Sequence, residues 1–149
     1  MPGITFAPGG PAYSEPPAGL RENIETATKN GTGFVFLHHA IAGWPAWEGY
    51  AELMGGRFCY TRQRVRGADV ADSGYRHKVE HRVRVMQEHP VTRGVDAEFP
   101  MIDELYLYEV FEDSVTPLLR SSHEFVASNF YSAEKVVVDG EMINFRSNV

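Results

Sequence analysis

The sequence predicts an α/β protein, a three-layer sandwich built on a mainly parallel sheet. The first observation is an apolar run at 33–37, Gly-Phe-Val-Phe-Leu, which has the aromatic and β-branched composition of a strand covered on both faces. The second is that this run lies between two segments with helical signals. The resulting helix–strand–helix order is typical of α/β architectures.

Both helices are predicted from local signals. The first is expected over 16–30, where a proline pair is followed by apolar residues at helical spacing. Gly31 then supplies a residue able to adopt the positive φ of a helix C-terminus. The second helix is expected to begin near Pro45, which suits a first helical turn, and to end at Gly55-Gly56.

Further strands are predicted downstream. Residues 77–85 alternate between His or Val and charged side chains, the period of a half-exposed strand that is antiparallel or at a sheet edge. Residues 104–110 and 115–119 indicate two more strands, and a proline confines the second of these to an edge or a bulge. In the tail, 125–149, a helical stretch precedes three consecutive valines and Asp139-Gly140.

Composition limits the classes of function. The 149 residues include 14 Lys+Arg against 20 Asp+Glu, a formal net charge of −6, and this acidic balance argues against nucleic acid and membrane surfaces as partners. No apolar run approaches the ~20 residues that span a bilayer. A single cysteine, Cys59, excludes an intrachain disulfide and suits a reducing compartment, so we expect a cytoplasmic protein. The pattern specifies no oligomeric state.

A histidine pair, His38-His39, follows the apolar run. In open α/β sheets, ligands bind just beyond the carboxyl ends of the strands. Side chains alternate along a strand, so the two imidazoles face opposite sides unless the chain turns between them. We expect His38 to be the catalytic candidate and His39 the second one. The alternative for each is a hydrogen-bonded imidazole with a structural role.

An acidic pair, Asp103-Glu104, supplies candidate carboxylates for the same site. Histidine titrates near neutrality, and a neighbouring carboxylate can orient it for acid–base work. Neighbours on a strand face opposite sides, so one carboxylate is expected in the cleft and the other in solvent. Glu104 is favoured because Tyr106 and Tyr108 share its face. A solvated acidic strand start is the alternative interpretation.

A divalent metal, zinc in particular, is the competing possibility, because imidazole and carboxylate groups are zinc ligands. The spacing of His77 and His81 would bring two ligands together on a helix, but on the predicted strand it separates them by ~13 Å. The pair is therefore weak evidence for a metal. The candidate ligand set is His38, Glu104 and one of His81 or His89.

Aromatic and basic side chains give candidates for substrate contact. Trp44, Trp47 and Tyr50 recur at helical spacing beyond the histidine pair, and flat rings suit the CH faces of a sugar. Trp44, at the junction of loop and helix, is the preferred contact, while packing against the sheet is the alternative for the other two. Tyr106 and Arg57 are further candidates, Arg57 for an anionic group.

Several of these motifs occur together in one known family. The runs FVFLHHAIAGWPAWEGYAELMGGRF (34–58), EHPVTRG (88–94) and IDELYLYEVFEDSVTPLL (102–119) resemble the ThuA-like family, named for trehalose utilisation. In that family a strand ends in a Leu-His step, which falls here on Leu37-His38. The glycine pair with Arg-Phe, the His-Pro step and the acidic pair with tyrosine follow in the same order, over nearly the whole chain.

The resemblance implies a fold and a domain organisation. The family fold is similar to the class I glutamine amidotransferase sheet, a flavodoxin-like architecture. It implies a single ThuA-like domain over 1–149. Compared with the family, the N-terminal strand and the C-terminal Gly-His segment are expected to be missing, so the sandwich is expected to be incomplete at both ends.

The resemblance also implies a function in carbohydrate metabolism, with trehalose or a related oxidised glycoside as the small-molecule partner. The expected chemistry is acid–base or metal-assisted, at His38 and Glu104. One alternative is a non-catalytic sugar-binding or accessory module, and a third is an amidotransferase relative. A cysteine-dependent glutaminase is not expected, because His38 occupies the place of its nucleophile and Cys59 is more simply a small buried residue.

Overall fold

The computed structural model describes residues 2–7 and 10–138. Within these residues every strand pair is antiparallel. The predicted three-layer sandwich on a mainly parallel sheet, with its amidotransferase-like architecture, is therefore wrong. The chain forms small antiparallel sheets around one long hairpin, accompanied by few helices.

The elements follow one another in this order: β1 (Ile4–Ala7), β2 (Gly10–Tyr13), α1 (Ala18–Lys29), a 3-10 helix (His38–Ala42), α2 (Glu48–Met54), β3 (Gly56–Arg57), β4 (Gln63–Val65), β5 (Ala68–Val70), β6 (Gly74–Val85), a 3-10 helix (Pro90–Thr92), β7 (Glu98–Leu107), β8 (Glu109–Val110), β9 (Leu119–Ser121), a 3-10 helix (Ala127–Asn129), β10 (Tyr131–Ser132) and α3 (Ala133–Val138).

The main sheet is organised around β6. Its partner β7 pairs with it along most of its length, from Gly74 opposite Leu107 to Arg84 opposite Glu98. On the other edge of β6, β10 pairs near its start and β9 near its end. Three two-stranded sheets, β1–β2, β3–β8 and β4–β5, complete the strand pairing of the described residues.

Both predicted helices are confirmed. Helix α1 covers Ala18–Lys29 and Gly31 follows it with a φ of 79°. Helix α2 begins at Glu48, three residues after Pro45, and ends where Gly55 adopts a φ of 79° and donates its N–H to Ala51 O at 2.9 Å. The positive φ explains why glycine closes both helices.

The predicted buried strand at 33–37 is wrong. The segment makes no strand pair, and Val35 and Leu37 are 85% and 75% exposed. Its backbone is nevertheless extended at Leu37, and the ring of Phe36 packs against that of Tyr50 at 5.5 Å. A strand covered on both faces needs neighbours on both edges and helices above and below, whereas α1 buries none of its residues here.

The downstream strand predictions have mixed outcomes. The strand at 77–85 is confirmed as part of β6, and 104–110 falls in β7 and β8. The strand at 115–119 is wrong except for its last residue, because β9 covers Leu119–Ser121. In the tail, α3 reaches Val138, and Asp139-Gly140 lie outside the described residues.

Two small apolar clusters form the core. One contains Ala42, Phe58, Tyr60 and Ala133, and the other contains Ala51, Cys59, Val65 and Phe111. The first packs against Tyr106 and Tyr108 and so supports the end of β7. Across the described residues, no helix combines the length and apolarity that crossing a membrane demands.

Candidate functional site

The carboxylate of Glu104, on β7, is the centre of the candidate site. Its side chain is only 12% exposed, and each of its oxygens has a histidine partner. Oε2 lies 3.1 Å from Nε2 of His38, and Oε1 lies 3.0 Å from Nδ1 of His77. Tyr106 also donates its hydroxyl to Oε2. Three polar groups therefore converge on one largely buried carboxylate.

His38 is presented by an unusual backbone. It is the first residue of the 3-10 helix His38–Ala42, and its φ is 47°. A positive φ is uncommon outside glycine, and such residues cluster at functional sites. The imidazole is half exposed, and the ring of His39 lies 4.0 Å away, between centroids. His38 therefore contacts a carboxylate while part of its ring remains accessible to solvent.

The contact with Glu104 favours one tautomer of His38. Since the carboxylate accepts, Nε2 carries the hydrogen in the neutral imidazole, and the lone pair is then on Nδ1. A histidine held in this way by a carboxylate has the arrangement of a general base with an orienting partner.

Tyr106 is a neutral donor in this site. Burial, with a further contribution from its hydrogen bond to Glu104, raises the pKa of Tyr106 far above its ordinary value. Its hydroxyl lies 3.4 Å from Nε2 of His38, and its ring is edge-on to that of His38 at 5.7 Å. Tyr106 thus contacts both the carboxylate of Glu104, through its hydroxyl, and the imidazole of His38, through its ring.

Asp103, the other predicted carboxylate, lies apart from this contact set. Its side chain is exposed, and its Oδ1 accepts the backbone N–H of Glu104 at 2.8 Å. The two acidic residues divide between the cleft and solvent, as strand alternation predicts.

The metal candidates divide in the same way. His38, His39 and Glu104 each offer a ligand atom within 4.8 Å of the others, and no other such group occurs among the residues described. His81 is buried elsewhere, with Nδ1 2.8 Å from Ser121 Oγ. His89 accepts the N–H of Val91 at Nδ1 and caps a 3-10 helix.

The aromatic candidates serve mainly to pack the structure. Trp47 and Tyr50 are buried, and the Tyr50 hydroxyl donates to Ala40 O at 2.9 Å, which ties α2 to the 3-10 helix of His38. Trp44 has a φ of 44°, and its ring lies against Gly3 near the N-terminal hairpin. The structure gives Trp44 no contact with the Glu104 site.

Arg57 also lies in another part of the structure. Its side chain is buried, and Nη2 has no hydrogen-bond partner in the described residues. It lines a cavity of about 270 Å³ together with Arg64 and Arg66, and this cavity shares no lining residue with the Glu104 site. An anion contact by Arg57 stays a prediction for that separate cavity.

Cys59 is fully buried in the second apolar cluster. Burial raises the pKa of its thiol, which reduces the thiolate fraction at neutral pH. The side chain has the surroundings expected of a small apolar residue.

Tyr106 is also one of the residues that line a large groove. It has a volume of about 1300 Å³ and runs between two stretches, 106–113 and 119–125. Its lining combines aromatic rings with charged groups, including Tyr108, Phe125 and Arg120. Tyr106 is the residue that this groove shares with the Glu104 site.

His77 is the contact that the sequence interpretation missed. The alternation from His77 to Val85 places His77 on the face of His81, yet its imidazole contacts Glu104. The period-two pattern hides an irregularity of β6 at this point. The alternating pattern by itself gives no signal of this irregularity.

The site combines a carboxylate held by two histidines with a groove that shares Tyr106 with it. Compared with protein-family models, residues 15–138 match ThuA, described as trehalose utilisation, and the chain belongs to this family. Comparisons with curated proteins and with solved structures gave no match. Family membership indicates a role in trehalose utilisation.

Proposed function

We propose that the protein modifies a carbohydrate, trehalose or a related oxidised glycoside, by acid–base chemistry at His38 and Glu104. The observation that supports this most is the 3.1 Å contact between His38 Nε2 and the largely buried Glu104 Oε2. Glu104 orients the imidazole, and Nδ1 of His38 is the atom that takes or returns a proton.

An oxidised glycoside gives this base a suitable proton. A carbonyl on the sugar ring acidifies the adjacent C–H, so that His38 Nδ1 can remove the proton while the electron pair moves onto the carbonyl oxygen. The imidazolium that forms is stabilised by the negative charge of Glu104. Tyr106 keeps that carboxylate in place through its own hydrogen bond.

A second candidate is metal-assisted chemistry at the same place. It is favoured by the grouping of His38, His39 and Glu104, whose ligand atoms lie within 4.8 Å of one another. A divalent cation such as zinc would polarise a sugar oxygen there. This version needs His39 as a ligand, whereas the acid–base version does not involve His39.

The test compares wild type with His38→Ala on trehalose and on its singly oxidised keto derivative. Removing a general base costs about 10²–10⁴-fold in turnover. We expect His38→Ala to lose turnover while sugar affinity, measured by calorimetry, is retained. His89→Ala is the matched control, since the His89 imidazole caps a 3-10 helix and is not part of the His38, His39 and Glu104 group.

The other outcomes separate the alternatives. Sugar binding without turnover in wild type would overturn the enzyme proposal in favour of a binding or accessory module. Turnover that His39→Ala and a chelator both abolish would favour the metal-assisted version. Full activity in His38→Ala would overturn both versions.

A further inference from the structure

A β-bulge in β6 brings a second histidine to Glu104. The register places Arg76 opposite Leu105 and Val79 opposite Asp103, so His77 and Lys78 together oppose Glu104. Lys78 has a φ of 51°, a left-handed conformation unusual for lysine. Bulges re-aim side chains and are over-represented next to active sites.

The bulge changes which side chains share a face. Without the extra residue, His77 and Val79 would lie on the same side of the sheet. In the structure Val79 is buried, whereas His77 is on the other face, partly exposed, and contacts Oε1 of Glu104. The apolar stretch of β6 therefore stays in the core while its first histidine is turned to the site.

The two oxygens of Glu104 have different partners. Nδ1 of His77 contacts Oε1 at 3.0 Å, while His38 and Tyr106 both contact Oε2. Rotation about the last torsion of a glutamate is soft, because sp³–sp² torsions have broad minima. A donor held on Oε1 therefore determines which way Oε2 points.

We propose that His77 is a positioning residue, which holds Oε1 of Glu104 so that Oε2 stays in line with His38. This inference rests on the proposed function of His38 and Glu104 for its kinetic consequence, though not for its geometry. The ring of His77 also contacts that of Tyr75 edge-on, with 5.3 Å between the ring centroids.

The experiment compares His77→Ala with His77→Asn, since the asparagine amide nitrogen occupies nearly the place of Nδ1. The first readout is the imidazole nitrogen spectrum of His38 by NMR at one fixed pH, with Glu104→Gln as the reference for a lost contact. We expect His77→Ala to move the His38 resonances toward those of Glu104→Gln. His77→Asn should keep them at the wild-type positions.

The second readout is turnover of the keto glycoside. In metal sites, losing a group that orients a ligand typically costs about 10–100-fold, and holding the carboxylate of Glu104 is a comparable role. We expect that loss in kcat for His77→Ala, with KM nearly unchanged and with recovery in His77→Asn. Equal thermal midpoints of the two variants show that both are folded.

Two results would overturn the proposal. One is a wild-type His38 spectrum in folded His77→Ala, and the other is His77→Asn behaving like His77→Ala in both readouts. If wild type turns over no probe, the proposed function fails, but the NMR comparison still decides whether His77 positions the carboxylate.

Discussion

The exposure of the segment before His38 gives a direct test of the fold. Val35 is 85% exposed, whereas Val83, on β6, is 6% exposed. Truncating Val83 to Ala removes buried methyl groups at ~0.8 kcal/mol each and leaves a cavity, so we expect a loss of about 2 kcal/mol. Val35→Ala removes groups already in water, and its effect should stay within about 0.5 kcal/mol.

The assay is urea unfolding followed by tryptophan fluorescence, for which Trp47, 3% exposed, is a buried reporter. Both variants make the same chemical change, so the difference between them isolates burial. Equal losses of stability in Val35→Ala and Val83→Ala would show that Val35 is buried, which would contradict the exposed position of the segment at 33–37.

Three other predictions concern the rest of the chain. The thiol of Cys59, buried and with a raised pKa, should react with a disulfide reagent only on unfolding; rapid labelling of the folded protein would contradict this. Gly55→Ala places a Cβ 2.3 Å from Val115 Cγ1 at a φ of 79°, so we expect it to lower the free energy of unfolding by about 2 kcal/mol or more. Gly31 has the same φ but open space around it, so Gly31→Ala should lower it by only about 1 kcal/mol in the same urea assay. Hydrogen bonds from two arginines lower the pKa of Glu98 below 4.5, so the stability it contributes is present above that pH and is lost on acidification. Glu98→Gln should therefore flatten the acid side of a plot of melting temperature against pH. An unchanged plot would contradict this.

The helices could be predicted from the sequence because their signals are local. Gly31 and Gly55 mark the two C-termini, and the positive φ of each agrees with that interpretation. Local residue types and spacing specify such ends without reference to the rest of the chain.

The strand at 33–37 could not be placed in the same way. An apolar composition shows that Val35 and Leu37 are suited to burial, but it does not provide the neighbouring strands and helices that would cover them. In the structure the long strands β6 and β7 pair with each other as an antiparallel hairpin. Which strands pair is determined by tertiary contacts, and the residue pattern of one segment carries no information about them.

The candidate site was predictable in part. Strand alternation separates Asp103 from Glu104, and the structure does bring Glu104 to His38. The contact of His77 could not be predicted, because a bulge leaves no mark on an alternating sequence. The catalytic roles of these residues remain predictions, now with a stated geometry.

A double-mutant cycle of His38→Ala and Glu104→Gln, measured as kcat/KM on the keto derivative of trehalose, tests most directly whether His38 and Glu104 act as a unit. Residues that act as a unit have non-additive effects. We predict that the double variant loses about as much activity as His38→Ala alone. Losses that multiply would show that the imidazole and the carboxylate act independently, and would contradict this prediction.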